Sequence, residues 1–97
     1  MGIRHYGLDP ETARFLQLLC RSDDDGIRSM VREACTLSND ALSRAMYRSL
    51  TEGRSFADLC KEKYVPATPE DFYGYRRKAL AIFGNMYLKR LLPKKGK

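Results

Sequence analysis

Apolar residues recur along most of this chain every three or four positions, and nowhere do they alternate with polar ones long enough to argue a strand. The first stripe is Ala13, Phe15, Leu16, Leu18 and Leu19. Asp9-Pro10-Glu11 starts it, with an acid to accept the free first-turn N–H groups and a Pro whose fixed φ suits the first helical position. This helix is expected to end near Ser22. Asp23-Asp24-Asp25-Gly26 then caps a second helix, whose buried face is Ile27, Met30, Val31 and Ala34. Ser38-Asn39-Asp40 restarts the chain for a third, with Leu42, Ala45, Met46, Ser49 and Leu50 inward, and Gly53 stops it in the left-handed conformation. On another face of that helix Arg44 and Arg48 stand one turn apart. Ser55, with Asp58 three positions on, caps a short fourth helix that turns Phe56, Leu59 and Cys60 inward. Tyr64-Val65-Pro66 ends it, because the residue before a Pro is pushed to extended geometry. Thr68-Pro69-Glu70-Asp71 opens the fifth and longest helix, expected to reach Leu92 ahead of Pro93. The predicted fold is all-α: a compact bundle of about five helices with a long C-terminal one. It forms one domain over residues 1–97, with 1–8 as a flexible N-terminus and 93–97 as a basic tail.

The fifth helix changes character midway. Tyr73, Tyr75, Arg76, Arg77 and Lys78 crowd its first half, whereas its second half, from Ala79 to Leu92, is apolar almost all round. A helix apolar on every face must be covered on every face. The cover is either the first two helices of the same chain or a second subunit in a two-fold dimer. The dimer reading assigns Ile82, Phe83, Met86, Tyr87, Leu88, Leu91 and Leu92 to the interface. Gly84-Asn85 interrupts this stretch and marks a kink or a close helix crossing.

Composition narrows the function. Apolar residues at 43% and charged ones at 31% describe a globular chain and not a disordered one. No apolar run is long enough to cross a bilayer, and MGIRHYGLDPE lacks the apolar core of a signal peptide, so a cytoplasmic location is expected. Cys20, Cys35 and Cys60 are odd in number and show neither CxxC nor Cys/His spacing, so they are expected to behave as small buried hydrophobes. The Asp23–Asp25 run lacks the alternate spacing of a calcium loop. No metal or other cofactor is called for. With one histidine, His5, and no phosphate loop or nucleophile elbow, an enzyme with a small-molecule substrate is not expected.

The net charge of +6 is uneven. Residues 1–60 carry eight arginines against nine acids, whereas residues 61–97 carry ten cations against three acids. The C-terminal third therefore suits a polyanion: nucleic acid or an acidic protein surface. The segment from about Asn39 to Lys78 resembles tri-helical helix-turn-helix DNA-binding domains. In that likeness Asn39–Glu52 is the supporting helix, Phe56–Lys63 the first helix of the motif, and the helix from Pro69 the reader. Leu59, Cys60, Val65 and Phe72 take the inward positions. The resemblance implies a reader helix in the major groove of DNA, with Tyr73, Arg76, Arg77 and Lys78 at the nucleic acid and Lys61, Lys63, Lys94, Lys95 and Lys97 on the phosphate backbone. Tyr64 stands where such turns carry Gly, the turn is about two residues longer, and Glu70 and Asp71 occupy the reader's first turn.

The alternative is a non-catalytic helical adaptor, inhibitor or assembly subunit that binds another protein through its apolar C-terminal helix. The two part at Arg76, Arg77 and Lys78. A reader helix requires all three exposed on one basic face, whereas an adaptor tolerates them dispersed and shows an apolar groove.

Overall fold

The computed structural model describes residues 8–91, and within them the chain is all-helical. Five helices follow in order: α1 (Pro10–Leu19), α2 (Asp25–Ser38), α3 (Ser43–Glu52), α4 (Phe56–Glu62) and α5 (Pro69–Leu91). A single 3-10 turn over Asp40–Leu42 leads into α3. None of these helices is long and apolar enough to cross a membrane.

The local start signals work as their chemistry requires. The Asp9 carboxylate accepts the Thr12 N–H at 2.8 Å, and that bond holds its pKa below the usual carboxylate range. Asp24 accepts from Gly26 and Ile27 at 2.7 and 3.1 Å. Ser55 accepts from Asp58, and Thr68 from Asp71, each at 3.1 Å. At the other end of α3, Gly53 adopts φ +73°, which a residue with a Cβ reaches only under strain.

The spine of the molecule is α5, against which all four other helices pack. It carries Phe72, Ala79, Leu80 and Phe83 into the core, all essentially without solvent contact. Each large apolar side chain buried this way contributes roughly 1.5–3 kcal/mol over leaving it in water. α2 lies antiparallel along α5 and makes the most extensive packing, through Val31, Ala34 and Cys35. The two ends fix this direction. The Ser38 hydroxyl at the end of α2 donates to the Tyr75 carbonyl at 2.7 Å, while Arg90 near the end of α5 lies over Gly26 at the start of α2. Where α1 meets α5, Gly84 is the point of closest approach. A Cβ built there would sit 2.8 Å from Leu16 Cδ1, so the glycine marks a close helix crossing.

Two sequence expectations need correction here. Phe83, assigned to a dimer interface, is 0% exposed and enclosed by its own chain. Cys60, expected inward with Leu59, is exposed, because consecutive helical residues point about 100° apart and Leu59 takes the inward position. Cys20 and Cys35 are buried as expected, and burial pushes both thiols up to about 12.

Candidate functional site

Three helices build a polar concavity on the surface. α2 supplies Arg32 and Thr36, α3 supplies Ser43, Arg44, Tyr47 and Arg48, and the end of α4 supplies Glu62 and Lys63. They enclose an open groove of about 640 Å³. Arg32 stacks over the Tyr47 ring with its guanidinium carbon 4.7 Å from the centroid, so one face of that ring is taken.

Arg48 belongs to a neutral four-membered network. It donates to Glu62 at 2.9 Å and to Glu52 at 3.3 Å, while Arg54 donates to Glu52 at 3.0 Å and closes the ring onto Glu62. The hydrogen bond from Arg48 holds the Glu62 carboxyl below the usual range, and the same bond holds Arg48 further up. Two cations and two carboxylates cancel. Arg32, Arg44 and Lys63 are left around the groove with no ion pair among the described residues. Four cations (Arg32, Arg44, Arg48 and Lys63) therefore face one carboxylate (Glu62) in the lining of the groove.

Beside it lies a smaller apolar cleft of about 230 Å³, and Arg44, Arg48 and Lys63 stand on the rim shared by the two. Leu42, Ala45, Leu59 and Val65 line it, with Tyr64 and Pro66 at its edge. Val65 is buried, and its carbonyl accepts the Ala67 N–H at 2.8 Å, so the turn that follows Tyr64 is anchored in the core. Tyr64 itself is 83% exposed.

No protein-family model, no curated protein and no solved structure matches the chain. The arrangement of its own residues is therefore the ground for function.

The residues expected to contact nucleic acid do not converge. Lys61 and Lys63 are exposed, and Lys63 reaches the groove. Tyr73 and Arg76 are used inside the fold. The Tyr73 hydroxyl accepts the Phe56 N–H at 2.9 Å, which ties α5 to the start of α4. Arg76 donates through Nε to the Ser49 hydroxyl at 2.9 Å and lies 5.7 Å from the Tyr73 ring centroid. Burial lowers the pKa of its guanidinium. Arg77 is exposed and Lys78 half-buried, so the three cations do not form one outward basic face. Lys94, Lys95, Lys97 and Leu92 lie outside the described residues.

Sequence reasoning passed over Arg32, Arg44, Tyr47, Arg48 and Tyr64 as candidates for a site. The one signal available was the Arg44/Arg48 pair, one turn apart on a face of α3 separate from its apolar stripe.

A third concavity is apolar, about 380 Å³, between α1 and α5. Phe15, Leu88 and Leu91 line it and remain 53%, 55% and 61% exposed. Of the residues assigned to a dimer interface, Ile82, Met86 and Tyr87 are half-buried by their own chain, and Leu88 and Leu91 are open.

Proposed function

We propose that this protein is a small nucleic-acid-binding protein that grips the phosphate backbone in the groove between α2, α3 and the end of α4. What supports the reading is the convergence of three cations, Arg32, Arg44 and Lys63, that no described carboxylate neutralises. Each phosphate neutralised there releases condensed counterions, so binding is strong at low salt and falls as salt rises. Arg48 orders the groove wall through Glu62 and Glu52. The basic balance of the chain steers the polyanion in. A reader helix at α5 is less favoured, since Tyr73 and Arg76 are committed to Phe56 and Ser49 and only Arg77 and Lys78 remain free for bases or phosphates.

The test is a titration of the purified protein against labelled single-stranded and duplex DNA at low and at physiological salt. The comparison is with a variant carrying Arg44→Glu and Lys63→Glu. The variant should lose most of its affinity. Its slope of log affinity against log salt should shrink by about 0.7 per lost phosphate contact on a single strand, or about 0.9 on duplex. An unchanged slope sinks the reading. If Arg77→Ala with Lys78→Ala flattens it instead, the contact lies on α5.

The apolar groove between α1 and α5 favours a second, compatible reading, self-association into a two-fold dimer. Phe15, Leu88 and Leu91 stand there as large exposed side chains around one concavity, and the same patch on two copies is the commonest form of association.

A further inference from the structure

The basic groove accounts for phosphate but leaves unexplained the apolar cleft that shares its rim. A tyrosine left 83% exposed buries little of its apolar surface, so it adds little to the fold. Tyr64 is such a residue, yet the chain that directly follows it is fixed. Val65 is anchored in the core, Pro66 restricts the backbone, and the Ala67 N–H to Val65 carbonyl bond closes the turn. An exposed ring beside a fixed stretch of backbone has less freedom to lose when something stacks on it than one on a free loop. Tyr47 cannot serve equally, because Arg32 already covers one of its faces.

We infer that the cleft edged by Tyr64 receives an unpaired nucleobase of a single strand whose neighbouring phosphate sits on Arg44 and Lys63. The inference rests on the nucleic-acid reading above and adds the class of ligand to it. A base has an apolar face for the Tyr64 ring and for the cleft wall of Leu42 and Ala45. Its phosphate needs the cations on the same rim, which is the pairing of stacking platform and basic track that single-strand binders use. A base inside a duplex is already stacked on both sides and cannot enter. The site is therefore selective for strands with unpaired bases, and stacking makes it tolerant of sequence.

The experiment compares four probes by fluorescence anisotropy or competition: a mixed-sequence single strand, the same strand with abasic sugars, the matched duplex, and adenosine 5′-monophosphate. Wild-type protein, Tyr64→Ala and Tyr64→Phe are titrated with each, after circular dichroism shows that all three fold. The base-bearing strand should bind wild type and Tyr64→Phe alike, and Tyr64→Ala roughly 5- to 150-fold more weakly, the range for loss of one stacked base. The abasic strand should bind all three proteins equally, and the duplex should be insensitive to Tyr64→Ala. If wild type holds the abasic strand as tightly as the base-bearing one, or Tyr64→Ala changes nothing, base stacking is overturned while the phosphate groove stands. Binding of the mononucleotide without binding of the strand overturns it in favour of a free nucleotide. No binding of any probe at low salt removes both readings together.

Discussion

Gly74 and Gly84 lie ten positions apart in α5, and alanine should have unequal effects at the two. In a helix interior Ala is favoured over Gly by about 1 kcal/mol, because Gly has more backbone freedom to lose on folding. At Gly74 a Cβ meets nothing within 4 Å, so Gly74→Ala should keep nearly all of that gain. At Gly84 the Cβ would lie 2.8 Å from Leu16 Cδ1 and 3.7 Å from Cδ2. Leu16 is only 4% exposed and packed in the core, so it cannot swing out freely. Overpacking of this kind costs about 1–3 kcal/mol, which cancels or outweighs the propensity gain. Gly74→Ala should therefore be the more stable variant by about 1–3 kcal/mol. For a domain of this size each 1 kcal/mol moves Tm by about 4–8 °C. Urea and thermal unfolding followed by far-ultraviolet circular dichroism measure the difference. A double-mutant cycle with Leu16→Ala isolates its cause, since Gly84→Ala should recover its helix gain once the leucine methyls are gone. Equal effects at the two glycines, or no coupling to Leu16, would refute the close seating of α1 on α5.

Arg76 and Arg77 separate a structural cation from a free one. Arg76→Ala should cost about 1–2 kcal/mol, since it removes a charged hydrogen bond to Ser49 and the packing of the stem, less the desolvation it relieves. Arg77→Ala, an exposed change, should stay within about 0.5 kcal/mol in the same urea titration. The cysteines predict both a reaction pattern and a pH dependence. A disulfide reagent should label Cys60 at once and Cys20 and Cys35 only on unfolding. Folding raises the two buried thiols from the ordinary 9.0 to about 12, so the folded state holds protons that the unfolded state releases first. That contribution to stability is intact below 9.0 and lost as pH rises towards about 12, and replacing both cysteines by alanine should remove it. For the apolar face, sedimentation over a range of concentrations should show a monomer–dimer equilibrium that Leu88→Glu abolishes. A monomer at every concentration would end the self-association reading.

Where four of the five helices begin was settled by the sequence itself, because capping involves residues at most three apart. The exception, α3, expected to restart at Ser38-Asn39-Asp40, instead begins at Ser43 behind a 3-10 turn with no side-chain cap. Asp9, Asp24, Ser55 and Thr68 meet their backbone donors whatever the rest of the chain does. The apolar stripes of α2 and α3 and the length of α5 were equally local, since a period of about 3.6 residues is visible in the residues alone. Gly84 could be recognised as a close crossing or a kink, and packing against Leu16 decided for the crossing. What remained to tertiary structure was every choice between neighbours. Leu59 or Cys60, and Arg76 or Arg77, are pairs of which either could face inward, and the angle at which another helix approaches selects one. Phe83 looked like an interface residue because α5 is apolar all round, and only the docking of the other helices shows that the chain covers it. The groove was the least legible of all. Arg32, Arg44 and Lys63 lie on three separate segments, and helix packing brings them together where no spacing in the sequence records it.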